Sequence, residues 1–102
     1  MVVVTFRNRM APGVDAQEYG QRVAKLFEIV SAMPGFHSIR SYESEDGEKM
    51  SVIEFDSHES LATWRENLEH AIAQQLGKQK YYSEYHLQIC DLVRESHMEP
   101  RR

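Results

Sequence analysis

The chain is poor in the residues that build cross-links, cofactor loops and membrane spans. Cys90 is the one cysteine among 102 residues; an internal disulfide is excluded, and a reducing cytoplasm suits it. No C-x-x-C or H-x-x-x-H pair occurs, so no metal site is expected. His86 and Cys90 would share a strand face, but four residues along a strand span roughly 13 Å, too far for one ion. G-x-G-x-x-G is missing too, so a nucleotide or flavin site has no support. There is no basic excess: the net charge is −4, where a nucleic-acid binder would show a basic face. No apolar run approaches the roughly 20 residues of a membrane span. The start, Met1-Val2-Val3-Val4-Thr5-Phe6, lacks a basic leader region and a small-residue cleavage site, so it reads as a strand. No repeat, linker or low-complexity segment is visible.

What remains is an ordinary domain composition, 41% hydrophobic and 27% charged. A chain this short buries only about 60–65% of its unfolded surface, and pairing with a second copy would hide more.

Residues 2–9 alternate. Val2, Val4, Phe6 and Asn8 share one face; Val3, Thr5, Arg7 and Arg9 share the other. Pro12-Gly13 ends this strand. Asp15 followed by Glu18 forms a capping box, with Val14 and Tyr19 as a hydrophobic staple. Tyr19, Val23, Leu26, Phe27 and Val30 then recur at helical spacing. Gly20 within this helix reads as an exposed, tolerated glycine. Pro34-Gly35 stops the helix. Residues 36–45 alternate, with Phe36, Ser38, Arg40 and Tyr42 opposite His37, Ile39, Ser41 and Glu43. Asp46-Gly47 signals a hairpin, and residues 48–55 return with Ser51, Ile53 and Phe55 on one face. Asp56 with Glu59 offers a second capping box. Leu61, Trp64, Leu68, Ile72 and Leu76 trace a second helical stripe, with a break near Asn67 in view and Gly77 as its C-cap. Tyr85, Leu87 and Ile89 alternate in a last strand.

The expected fold is α+β: a ferredoxin-like β-α-β-β-α-β domain over residues 1–94, with a four-stranded antiparallel sheet and a polar tail at 95–102. One sheet face takes both helices. The other carries apolar and polar groups, and two such faces are expected to meet in a homodimer.

Val3-Val4-Thr5-Phe6-Arg7, Pro34-Gly35-Phe36, Asp46-Gly47, Val52-Ile53-Glu54-Phe55, Trp64-Arg65-Glu66 and Tyr82-Ser83-Glu84-Tyr85 together resemble the antibiotic biosynthesis monooxygenase (ABM) family of dimeric α+β barrels. The resemblance extends to about Arg94. It implies an oxygenase: the family includes cofactor-free enzymes acting on polycyclic phenols and quinols, haem-degrading oxygenases, and many members of unknown activity. The haem-degrading branch carries an asparagine at the end of the first strand and a tryptophan on the second helix. Asn8 and Trp64 match these. It also carries a haem-ligating histidine nine or ten residues beyond the tryptophan, where this chain has Ala73 and Gln74. His70, six residues beyond Trp64, lies far around a continuous helix from that position; a break near Asn67 would re-aim it.

Three residues are singled out for chemistry. Asn8 is a polar amide on an otherwise apolar face, able to orient a substrate or oxygen, or to be satisfied by water at a strand end. Trp64 is a pocket wall with one indole donor, or a core anchor. His70 is a base able to take a phenolic proton near neutral pH, or a surface histidine. His37 and His86, on strands, have weaker forms of the same claim, and His58 in a first helical turn reads as a surface group. Cys90 reads as a small packed group. Lys78-Gln79-Lys80-Tyr81-Tyr82 reads as a solvated helix–strand junction or as the rim of a pocket drawing anions.

The reading that follows is a cytoplasmic, homodimeric monooxygenase. It oxidises a small aromatic phenol or quinol with O2 and needs no tightly held cofactor, nucleic acid or membrane. A haem-binding enzyme and a non-catalytic dimeric binding module are the rivals.

Overall fold

The computed structural model describes residues 1–78 and 81–100; within the second helix the side chains at 70, 71 and 73–78 are outside that description. The elements run β1 (Val2–Met10), α1 (Ala16–Ser31), β2 (Phe36–Glu43), β3 (Lys49–Phe55), α2 (His58–Lys78) and β4 (Tyr82–Asp91). The strands form one antiparallel sheet in the order β2-β3-β1-β4. This is the β-α-β-β-α-β arrangement that the alternation and capping signals predict.

The burial of β1 follows its alternation: Val2, Val4, Phe6 and Asn8 are buried, and the intervening residues are half-exposed. α1 begins where the cap places it. The Asp15 carboxylate accepts hydrogen bonds from the Gln17 and Glu18 backbone amides, occupying donors that the first turn leaves free.

Four details differ from the sequence reading. In β2 the register shifts between Phe36 and Ser38, so Phe36 pairs with Phe55 while Ile39 pairs with Ile53. An extra residue in one strand is a bulge, and it turns both Phe36 and Ile39 toward the core. The hairpin loop is wider than Asp46-Gly47 alone. It spans Ser44 to Glu48, closed by the Ser44 amide on the Glu48 carbonyl at 2.8 Å, with Gly47 at φ +90°. At the start of α2, Ser57 and Ser60 cap reciprocally: each backbone amide donates to the other's hydroxyl, at 3.1 and 3.2 Å. The box therefore sits one residue later than Asp56–Glu59, with a serine hydroxyl in the glutamate's place. Finally, α2 is unbroken at Asn67 and runs through Gly77 to Lys78.

Both helices cover one sheet face. Ile53, Phe55, Val4 and Val30 are almost wholly buried there, together with Leu61, Trp64, Leu68 and Ile72 of α2. Each such side chain contributes roughly 1.5–3 kcal/mol of transfer free energy. Gly35 fixes where α2 starts. Its φ is +82°, and a Cβ built there would lie 2.4 Å from the Ser60 Cβ. Only glycine tolerates both that backbone and that approach.

Candidate functional site

The strand pairing sorts the helix-facing side of the sheet into four rungs of changing polarity. The first holds Phe36, Phe55 and Val2, with Asp91 at its exposed β4 edge; the second Ile39, Ile53, Val4 and Ile89; the third Ser41, Ser51, Phe6 and Leu87; the fourth Glu43, Lys49, Asn8 and Tyr85. Successive rungs are about 6.7 Å apart. The sheet therefore passes from oily to polar along its own strands.

A cavity of about 80 Å³ lies between sheet and helices across that transition. Its floor is Ile39, Ile53, Ser51, Phe6 and Asn8. The α1 stripe from Tyr19 to Val30 forms one wall, and Trp64 and Leu68 of α2 form another. Tyr82 closes the β4 side. Asn8 and Trp64 stand toward opposite ends. Asn8 is on the polar fourth rung, whereas the Trp64 indole packs 5.7 Å from the Phe55 ring on the first.

Two polar atoms of this lining are buried with no hydrogen-bond partner among the described residues: the Asn8 Oδ1 acceptor and the Trp64 Nε1 donor. Asn8 is 3% exposed and Trp64 is 3% exposed. A buried polar group without a partner costs about 1–3 kcal/mol. Two such groups of opposite sense, carried by residues that line one cavity, suit a molecule that donates at one end and accepts at the other.

The β4 side is a tyrosine cluster. The Tyr19 and Tyr82 hydroxyls are 3.2 Å apart. Burial, then the bond to Tyr19, pushes the Tyr82 phenol far above its ordinary value. Tyr81 is buried, donates to the Glu18 carboxylate at 2.9 Å, and is also pushed up, chiefly by burial. Both phenols therefore stay neutral at any physiological pH.

Of the three residues singled out from the sequence, Asn8 and Trp64 line one cavity. His70 belongs to α2, and its side chain is outside the described residues. His37 pairs with Asp56 at the surface, and His58 with Asp91 at 2.6 Å. Cys90 is exposed rather than packed. Of the Lys78–Tyr82 run, positions 79 and 80 are outside the description, Tyr81 is buried, and Tyr82 lines the cavity. The tyrosine cluster was missed in the sequence, because it joins residues 63 positions apart. Nothing local signals such a pair.

Among the described residues of this lining there is no histidine, cysteine or methionine to ligate a haem iron. Among the described residues no group of three or more histidine, cysteine or acidic side chains could hold a metal ion. No helix of the described residues is long and apolar enough to cross a membrane.

Comparison with known proteins agrees with this architecture. YqjZ of Bacillus subtilis (strain 168), an uncharacterised protein, is 26% identical over 77 residues, covering 76% of this chain and 68% of that one. The solved structure of Rv0793 from Mycobacterium tuberculosis superposes with a TM-score of 0.73 at 18% identity, covering 94% and 98% of the two chains. SnoaB, a cofactor-independent oxygenase from Streptomyces nogalater solved as a point mutant, gives 0.71 at 13% identity over 92% and 94%. A point mutant of MhuD with two manganese protoporphyrin IX molecules per active site gives 0.66 at 20% over 96% and 100%. At these identities the structures share the fold. The antibiotic biosynthesis monooxygenase family model matches residues 1–76, and the chain is a member of that family.

Proposed function

We propose that this protein is a monooxygenase that oxidises a single-ring phenol or quinol with O2 and without a tightly held cofactor. The observation that carries the reading is the pair of buried, unpartnered groups, Asn8 Oδ1 and Trp64 Nε1, on two residues that line one apolar cavity. A quinol anion has the matching pattern. Its remaining O–H donates to Asn8, and its ionised oxygen accepts from the Trp64 indole.

The chemistry needs no outside reductant. Hydroquinone and O2 give hydroxybenzoquinone and water. One oxygen atom forms a C–O bond on the ring and the other leaves as water, all four electrons coming from the substrate. The protein's part is to hold the ring, keep water out and receive the phenolic proton. Ionisation makes the ring electron-rich enough to pass an electron to O2. We assign the proton to His70, which shares α2 with Trp64; an imidazole titrates in the right range.

The free cysteine suits a cytoplasmic setting, and a homodimer suits the outer sheet face. Val3, Met50 and Val52 are half-buried there, Tyr42 is 53% exposed, and the Arg7 Nε is buried without a partner among the described residues.

Oxygen uptake with methylhydroquinone under 18O2 tests the reading. One labelled oxygen atom in the quinone, lost in Asn8→Ala and reduced in Trp64→Phe, is expected. Unlabelled quinone with hydrogen peroxide would refute monooxygenation. In His70→Ala uptake should slow at pH 7 and recover toward pH 9, where more of the substrate ionises unaided. Equal wild-type and variant rates at both pH values would remove His70 from the mechanism.

A further inference from the structure

The cavity is smaller than the substrates its chemistry suits. At about 80 Å³ it is roughly half the 150 Å³ or so that a benzene-binding protein cavity offers. A ring enters only if some part of the wall moves. Two surface grooves adjoin the cavity at the polar end of the sheet, one of about 430 Å³ beside Ser41, Tyr42 and Lys49, the other of about 470 Å³ beside Met10, Val14 and Lys49. Only Tyr19 and Val23, one turn apart on α1, line the cavity and both of these grooves. They form the helix side of the partition between cavity and grooves, and Asn8 and Ser51 form its sheet side toward the first groove.

Tyr19 is the larger member and is held in place by its tip. Its hydroxyl meets Tyr82, on the opposite cavity wall, at 3.2 Å. Its ring packs edge-on against Tyr81 at 5.6 Å and Tyr82 at 6.0 Å. An O–H···O bond of that length is longer than the usual 2.7–2.8 Å or so, and is correspondingly weak. Gly20 beside it has open space around it.

We infer that Tyr19 determines specificity in this site. Its ring limits the cavity to one aromatic ring, and release of its hydroxyl from Tyr82 opens the passage from the grooves. The inference rests on the phenol-binding reading above. Substrates of two fused rings are rejected by size. A smaller residue at position 19 joins the cavity to the grooves and admits them.

The single tryptophan provides the readout, because the protein has one indole N–H signal and it belongs to the cavity wall. Phenol and 1-naphthol are titrated in turn against the 15N-labelled protein. In the wild type, phenol is expected to shift the Trp64 indole signal at least 10-fold more tightly than 1-naphthol. Tyr19→Ala should raise naphthol affinity 10-fold or more relative to phenol. Tyr19→Phe, which keeps the ring and removes the hydroxyl, should retain the preference for phenol and speed its association. Val23→Ala widens the same partition without touching the tyrosines. It serves if Tyr19→Ala does not fold, with a naphthol gain of 3-fold or more expected. Wild-type protein that binds naphthol as tightly as phenol, or truncations with no naphthol gain, would overturn the inference while leaving the phenol site in place. No shift with phenol in the wild type would instead overturn the underlying reading, and the inference with it.

Discussion

Replacing Asn8 with leucine is expected to stabilise the protein and abolish its activity. The amide is 3% exposed, and its Oδ1 has no partner among the described residues. That atom costs about 1–3 kcal/mol in the free protein. Leucine continues the apolar face set by Val2, Val4 and Phe6, and the adjoining cavity of about 80 Å³ gives the branched side chain room, so overpacking is limited. The net gain should be about 1–2 kcal/mol. For a domain of this size that raises the melting temperature by roughly 4–16 °C. With a urea slope of about 1.5 kcal/mol/M, the midpoint moves up by roughly 0.7–1.3 M. Trp64 emission follows both transitions, and oxygen uptake is measured on the same samples.

A companion substitution, Asn8→Asp, puts a carboxyl in the same place. Burial pushes its pKa up, so the variant should be most stable in acid, lose stability as pH rises from the unfolded carboxyl value to that raised one, and level off above it. If Asn8→Leu proves less stable than the wild type, the amide is satisfied in the free protein. It is then a structural group, and the case for a ligand-directed acceptor fails.

Two further outcomes test the frame that holds the site. Gly35→Ala forces an L residue to φ +82° and drives a Cβ to 2.4 Å from Ser60; a loss of about 2–4 kcal/mol is expected from backbone strain and a disturbed cap. Adding Ser60→Gly should return part of that loss in urea melts, and a single variant within about 0.5 kcal/mol of wild type would show that the approach is not tight. The Asp46 carboxylate is held well below its ordinary range by the Ser44 hydroxyl first, then by Arg9 and the Glu48 amide. A depressed carboxylate stabilises the fold above its unfolded value of about 3.9 and loses that contribution as pH falls through the folded value. The stability difference between wild type and Asp46→Asn should therefore be full at pH 7 and shrink below about pH 4; a difference unchanged at pH 2 would refute the linkage.

The architecture was legible because several local signals agreed. Alternation in β1, the Asp15 cap, the α1 stripe and the glycines at 35 and 47 each stand where the fold needs them. Strict alternation failed in β2 for a physical reason that the sequence contains. Phe36 and Ile39 are large apolar residues three apart, an odd spacing that places them on opposite faces unless a bulge intervenes. The second cap was misplaced because Asp-x-x-Glu at 56–59 overlaps Ser-x-x-Ser at 57–60, and the serine pair forms the bonds. Asn8 stood out for a simple reason: an amide on an apolar strand face conflicts with its neighbours, and such conflicts gather at functional sites. Tyr19 carried no comparable mark. As a member of an apolar helical stripe it looks like core, and only its meeting with Tyr82 across the cavity reveals another use.

The position of the cavity follows from the sheet rather than from any one residue. With both helices on one face, that face must be apolar along most of its length to hold them. The second rung meets the requirement with Ile39, Ile53, Val4 and Ile89. The fourth does not: Glu43, Lys49, Asn8 and Tyr85 cannot pack against a helix without partners. Close packing therefore gives out between those rungs, and a space opens there with an oily end and a polar end. Aromatic oxygen chemistry needs both: a dry interior where a ring anion meets O2, and a polar edge where a hydroxyl can be held. Changing the fourth rung to aliphatic residues should close that space without altering the topology, which separates what the fold requires of this sheet from what the site requires.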